Sequence, residues 1–223
     1  MMRKVMFEVS KTILFMGNSI TDCKRDREDI MSLGNGYAAF TAGSLAAKYP
    51  GEYSFINRGI AGNRVCDLVS RMNIDIIAHK PDYMSIQTGA NDVSQDYMVN
   101  KLRIGRYEKL YTLLVEESLS ELPELKIMIF TPFIVPHAQL EKTYENISHF
   151  SVNSLCEAMS EYVEATERVA RKFDLPCVNL QKVFDEELKN ASAEYWSRDG
   201  YHPTAMGHGI IAREWQKLFE KVK

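Results

Sequence analysis

Ile13-Leu14-Phe15-Met16-Gly17-Asn18-Ser19-Ile20-Thr21-Asp22 is the stretch on which the fold of this chain turns. Four consecutive large apolar residues enter from Lys11-Thr12 and stop at Gly17. A short run that is apolar at every position suits a central parallel strand covered on both faces. Open parallel sheets bind ligands beyond the carboxyl ends of their strands, so Ser19 stands where a reactive hydroxyl is useful. Taken alone, a Gly-x-Ser at a strand end is more often an ordinary turn. Its partners lie further along the chain.

On the amino-terminal side, Met1 to Lys11 lacks the features of a secretory leader. The apolar run Val5-Met6-Phe7 is cut short by Glu8 and Lys11, and no small-residue cleavage site follows. No stretch approaches the roughly 18 apolar residues of a membrane span. A net charge of −3 and a pI near 6.0 give no electrostatic case for nucleic acid or an anionic membrane as partner. Cys23, Cys66, Cys156 and Cys177 form no C-x-x-C pair and have no histidines at zinc spacing, so free thiols in a reducing cytoplasm are expected.

On the carboxyl side, Cys23 to Asn35 is polar and irregular, either a solvated connection or a rim beside the strand end. Gly36–Lys48 reads as a helix closed by Tyr49-Pro50-Gly51. Tyr53–Asn57 is a second strand, running into Arg58-Gly59-Ile60-Ala61-Gly62-Asn63, a turn whose glycines let backbone N–H groups approach a ligand. A helix over Val65–Ala78 and a third strand, Tyr83–Gln87, lead to Thr88-Gly89-Ala90-Asn91-Asp92. Asn91 there is a turn residue or an amide donor above the sheet. Lys101–Leu122 is predicted helical and Lys126–Thr131 is a fourth strand. Phe133–Phe150, with His137 and His149, is an aperiodic loop of the length that often carries function, although a lone loop histidine is usually just solvated. Val152–Phe173 is the most regular amphipathic helix, and Pro176–Leu180 a fifth strand. A short helix over Phe184–Leu188 and a polar-aromatic loop lead to Asp199-Gly200-Tyr201-His202-Pro203, where Pro203 opens the final helix. Five strands alternating with helices predict one three-layer α/β/α domain over 1–223, with a five-stranded parallel sheet and right-handed crossovers.

Parallel strands end on one edge, so Ser19, Gly62, Asn91, Asp199 and His202 can converge there. A serine is a poor nucleophile until a base takes its proton, and His202 is the natural base. An imidazole in that role needs a carboxylate on its other nitrogen, and Asp199 lies three residues earlier across a glycine turn. The Ser19 and Gly62 backbone N–H groups, with the Asn91 amide, would supply three donors to a developing oxyanion.

Gly17-Asn18-Ser19, the turn ending at Gly62, Gly89-Ala90-Asn91-Asp92 and Asp199-Gly200-Tyr201-His202-Pro203 resemble the four ordered blocks of the SGNH (GDSL-type) hydrolases. The resemblance spans Gly17 to Pro203 and implies a flavodoxin-like fold. It further implies Ser19 as nucleophile, His202 as base, Asp199 as its orienting partner, an oxyanion hole of Ser19, Gly62 and Asn91, and no metal or organic cofactor. The runs Phe15–Cys23, Asn57–Asn63 and Thr131-Pro132-Phe133 look most like the acetylxylan-esterase branch. That branch implies a carbohydrate O-deacetylase, acting on an acetylated sugar or oligosaccharide, that assembles as a homo-oligomer.

One position departs from the family pattern: Asn18 stands where an Asp is usual, keeping the hydrogen-bonding shape without the charge. Other readings of the same constellation are a lipase, lysophospholipase or thioesterase, and a catalytically impaired carbohydrate-binding homologue. Trp196 and Tyr201, near the base, are candidates to stack on a sugar or to pack against the last helix.

Overall fold

The computed structural model describes residues 10–223. The amino-terminal stretch read above for a leader therefore lies outside the described residues, except for Ser10 and Lys11. Five strands form an all-parallel sheet: β1 (Lys11–Gly17), β2 (Tyr53–Gly59), β3 (Tyr83–Gln87), β4 (Lys126–Phe130) and β5 (Cys177–Val178). Their spatial order is β2-β1-β3-β4-β5. The chain thus leaves β1 in one direction, to β2, and resumes on its other side at β3, opening a crevice at the carboxyl end of β1.

Alternation along β1 shows why it is central. Ile13 and Phe15 enter one core with Tyr83, Met128 and Phe130, whereas Leu14 and Met16 enter the other with Met84, Ile86, Ile127 and Ile129. All four β1 residues are fully buried. Helix α1 (Ser19–Asp22) is a single turn directly after β1, and α2 (Tyr37–Lys48) follows the polar loop. Beyond β2 comes α3 (Val65–Asp75), ended by a 3₁₀ turn at Ile77–His79 rather than running to Ala78. Helices α4 (Ala90–Met98) and α5 (Ile104–Glu121) join β3 to β4. Then come α6 (Ala138–Thr143), α7 (Val152–Lys172), α8 (Leu180–Glu187), α9 (Ala193–Trp196) and α10 (Ala205–Val222). Residues of α3, α4, α5 and α7 line one core, and those of α2, α8 and α10 the other.

Several boundaries differ from the sequence reading. The predicted helix over Lys101–Leu122 starts at Ile104, and the segment before it holds α4, which the turn-like Gly89-Ala90-Asn91-Asp92 concealed. The stretch read as an aperiodic loop contains α6, and the fifth strand shrinks to two residues because Asn179 caps α8, accepting from Lys182 N at 2.9 Å. Pro203 does not open the last helix. It bridges back to Ser197, and Thr204 is the cap, with its hydroxyl accepting from Gly207 N. Phe40 in α2 and Leu113 in α5 are exposed although apolar. No helix among the described residues is long and apolar enough to cross a membrane, and the four cysteines are free thiols.

Candidate active site

Ser19 is the first residue of α1, where a backbone N–H has no intrahelical partner. Asn18 caps the turn, its Oδ1 accepting from Ile20 N at 3.2 Å. The seat of this turn is built from the neighbouring strand. Asn57, a buried polar residue inside β2, donates its amide to Thr21 O (2.7 Å) and Leu33 O (2.9 Å) and accepts from Gly59 N (2.8 Å). Asp22 accepts from Ala61 N at 3.0 Å and pairs with Arg27 at 2.9 Å, tying α1 to the glycine turn after β2. Arg71, on α3, donates to Gly17 O, Arg58 O and Asn63 Oδ1, collecting the ends of both strands.

His202 arrives from the other end of the chain. The turn carrying it is fastened by Arg198 N to His202 O (2.8 Å), Gly200 N to Ser197 Oγ (2.9 Å) and Val135 N to Gly200 O (2.8 Å). Gly200 adopts φ +98° with Leu140 pressed against it, which only a residue without a side chain allows. His202 Nε2 lies 2.9 Å from Ser19 Oγ, and its Nδ1 lies 2.8 Å from Asp199 Oδ2. Asp199 Oδ1 also accepts from the backbone N–H groups of Tyr201 (2.9 Å) and His202 (2.8 Å). Partial burial pushes Asp199 upward, but these donors outweigh it and hold the carboxyl at about 2. A carboxylate that stays ionised on Nδ1 leaves Nε2 as the acceptor facing the hydroxyl.

Asn91, in the first turn of α4, donates to Asn63 O at 2.9 Å, which uses one of its two amide hydrogens. Gly62 sits between that Asn63 and Ala61, so the second and third blocks meet beside Ser19.

The GDSL-like Lipase/Acylhydrolase family pattern matches residues 15–210. The chain belongs to this family. It is accordingly a carboxylic ester hydrolase. A relative from Geobacillus stearothermophilus, described as an acetylxylan esterase, is 33% identical over 212 residues, covering 90% of each chain. The crystal structure of an acetylxylan esterase from that organism superposes with a TM-score of 0.80 at 32% identity, covering 93% of each chain. A GDSL-like lipase from Parabacteroides merdae gives a TM-score of 0.84 at 31% identity, over 95% of this chain and 97% of its own.

In this acylhydrolase Ser19 and His202 sit at the meeting of two cavities. One, of about 220 Å³, is lined by Asn91, Ser94, Thr143, Tyr144 and Tyr201. The other, of about 330 Å³, is lined by Cys23, Lys24, Asn35, Ala61, Arg198 and His208, among others. The polar loop after Ser19 is thus a rim through Cys23, Lys24 and Asn35, while residues 26–31 are exposed.

Tyr201 shares a hydrogen bond with Tyr144 at 2.6 Å and walls the smaller cavity rather than packing on α10. Trp196 is buried, its indole N–H bound to Glu187 O at 3.0 Å, and is unavailable for stacking on a ligand. His137 caps α6, accepting from Gln139 N, and His149 donates to Tyr97 O; neither lines the cavities at Ser19.

Sequence reasoning passed over His208. Its Nδ1 accepts from Tyr37 N at 3.2 Å, capping α2 in place of a side chain from Gly36, so the proton sits on Nε2, 3.3 Å from Cys23 Sγ. Burial, aided by the charges of Arg198 and His202, lowers His208 to about 4. Asp92 was passed over too: it accepts from Val65 N, and burial raises it to about 7. Among the described residues no three His, Cys, Asp or Glu side chains gather as a metal site would require.

Proposed function

We propose that the chain is a serine esterase that removes short acyl groups, acetyl above all, from a carbohydrate. The observation that carries this reading is the unbroken relay from Ser19 Oγ through His202 to Asp199, at 2.9 and 2.8 Å. Ser19 attacks the ester carbonyl as His202 takes its proton. The oxyanion is held by the Ser19 and Gly62 N–H groups and the spare Asn91 amide hydrogen. Collapse expels the alcohol, which receives the proton from His202, and leaves an acyl-Ser19. Water, deprotonated by His202, then releases the acid and restores the hydroxyl. Asp199 keeps its charge throughout and stabilises the imidazolium.

Support for the acetyl group and the sugar comes from the acetylxylan esterase relative. The cavities beside Ser19, of about 220 and 330 Å³, are modest in volume, which agrees with a short acyl group.

The test is hydrolysis of p-nitrophenyl acetate, butyrate and octanoate by the wild type and by Ser19→Ala. Acetate-selective turnover that vanishes in the variant is expected. An octanoate preference would move the substrate to lipids, and a variant as active as wild type would remove Ser19 from its role.

A further inference from the structure

The two cavities that meet at Ser19 differ in charge. Apart from the Asp199–His202 pair, the smaller presents only uncharged groups: hydroxyls, the Asn91 amide, tyrosine rings and the aliphatic Ile20 and Ala90. The larger holds Lys24 and Arg198, and neither has a carboxylate partner among the described residues. Its one acid, Asp22, is already occupied by Arg27, Ala61 N and Arg25 N. His208 and Cys23, on the same wall, are held neutral by burial. Two cations therefore line a space of about 330 Å³ beside the reacting hydroxyl with no free carboxylate among the described residues to meet them.

Both cations stand on fixed backbone. Lys24 follows Cys23 in consecutive left-handed conformations (φ 61° and 36°), held by Asn35 N to Cys23 O at 2.9 Å. Arg198 directly precedes Asp199 and is pinned by its own N–H to His202 O. Cations placed beside the reacting hydroxyl favour a substrate that carries an anion near the ester.

We propose that the larger cavity receives the alcohol half of the ester, and that this half carries an anionic group bound by Lys24 and Arg198. The group is the carboxylate of an acidic sugar or the phosphate of a sugar phosphate. This rests on the esterase reading and narrows it from acetylated sugars in general to charged ones. The departing oxygen stays within reach of His202, which lines the same cavity and supplies its proton.

The experiment compares three mono-O-acetyl esters: of methyl glucoside, of methyl glucuronide and of glucose 6-phosphate. At low salt the wild type should favour an anionic ester over the neutral one by about tenfold or more in kcat/KM, chiefly through KM. Salt at about 0.5 M should erode that preference. Arg198→Gln and Lys24→Gln should each cut the ratio, the double variant should bring it near one, and Arg198→Glu should invert it. Whichever anion wins identifies the source. A wild-type ratio at or below one, or a ratio indifferent to these substitutions, overturns the proposal.

Calorimetry on Ser19→Ala protein separates this claim from the esterase reading, because it needs no turnover. Methyl glucuronide or glucose 6-phosphate should bind more tightly than methyl glucoside, adding Arg198→Gln should narrow the difference, and adding Lys24→Gln as well should abolish it. Equal binding of all three overturns the anion subsite even if every ester is hydrolysed. Silence toward p-nitrophenyl acetate overturns the esterase reading instead.

Discussion

Gly17 and Gly59 lie directly opposite each other in the β1–β2 ladder, and both face the turn that carries Ser19. A Cβ on Gly17 would come within 2.2 Å of Thr21 Oγ1, and one on Gly59 within 2.1 Å of Asp22 N. The second clash is with backbone, so no side-chain rotation relieves it. The paired glycines let α1 settle onto the end of the sheet, and that sets the position of Ser19. Gly59→Ala should displace the turn and cost about 10²-fold in kcat/KM, the usual effect of a shift near 1 Å. Far-UV dichroism would confirm that the fold survives. Wild-type turnover in a folded variant would show that α1 is not held this way.

Asn91→Ala removes the proposed oxyanion amide, and about 10²- to 10³-fold in kcat should go with it. The same change breaks the link to Asn63 O. Denaturant midpoints measured beside the rates separate a catalytic loss from a structural one. Near-normal turnover would take Asn91 out of the oxyanion hole.

Asn18 needs only its carbonyl oxygen to cap α1, and its buried Nδ2 finds no partner among the described residues. Asn18→Asp retains the acceptor and should keep turnover within about threefold, whereas Asn18→Ala should lose about 1 kcal/mol of stability. Urea unfolding of the two variants is the check. An alanine variant as stable as wild type would show that the cap is dispensable.

Asp92 gives stability a pH dependence of unusual sign for a carboxylate. Unfolded, it releases its proton near 3.9; in the fold, burial delays release to about 7. Between those values the native state keeps a proton that the unfolded chain has lost, so this contribution is fully present below about pH 4 and fades as pH rises through 7. Asp92→Asn mimics the protonated form. Relative to its stability at pH 5, it should gain on wild type by on the order of 2 kcal/mol at pH 8. His208 acts in the opposite direction, losing stability as pH falls from about 6.5 toward 4, but is common to both proteins and cancels. Parallel pH profiles for the two proteins would mean that Asp92 is not held protonated.

Asn57→Ala would strip two carbonyls and one N–H of their buried partner, at a cost on the order of 3 kcal/mol. Turnover should fall with it, because Thr21 O belongs to the turn that holds Ser19. A variant that unfolds at the wild-type urea midpoint would show that the β2 amide does not anchor α1.

The sheet was legible because β1 to β4 are short apolar-rich segments, the unbroken run Ile13–Met16 being the clearest, each ending in or followed within a few residues by glycine or proline. The candidate site residues were legible because each lies within a few residues of such a stop. Helix α4 was hidden because only Val93 and Tyr97 anchor its buried face beyond the first turn, too few to make a period, while Gly89 and Asn91 imitate a turn. Helix α6 buries Leu140 alone. The supports of the site left no local signal. Asn57, Asp22 and Arg71 act on segments reached only through the fold, and a lone polar residue in a strand does not say which carbonyl it will find. His208 was silent for the same reason, its partners Tyr37 and Cys23 being 171 and 185 residues away.

Ser19 and His202 are 183 residues apart, and the segment bringing them together docks through α10 against α2 and the far strands of the sheet. On the proposed mechanism hydrolysis requires this long-range docking, whereas pairing of β1, β2 and β3 does not. Closing so large a loop is slow relative to local helix formation. In refolding from denaturant, helical ellipticity should return ahead of esterase turnover, and the lag between them times the arrival of the carboxyl-terminal helix. The enzymatic signal would then report completion of the fold rather than its onset.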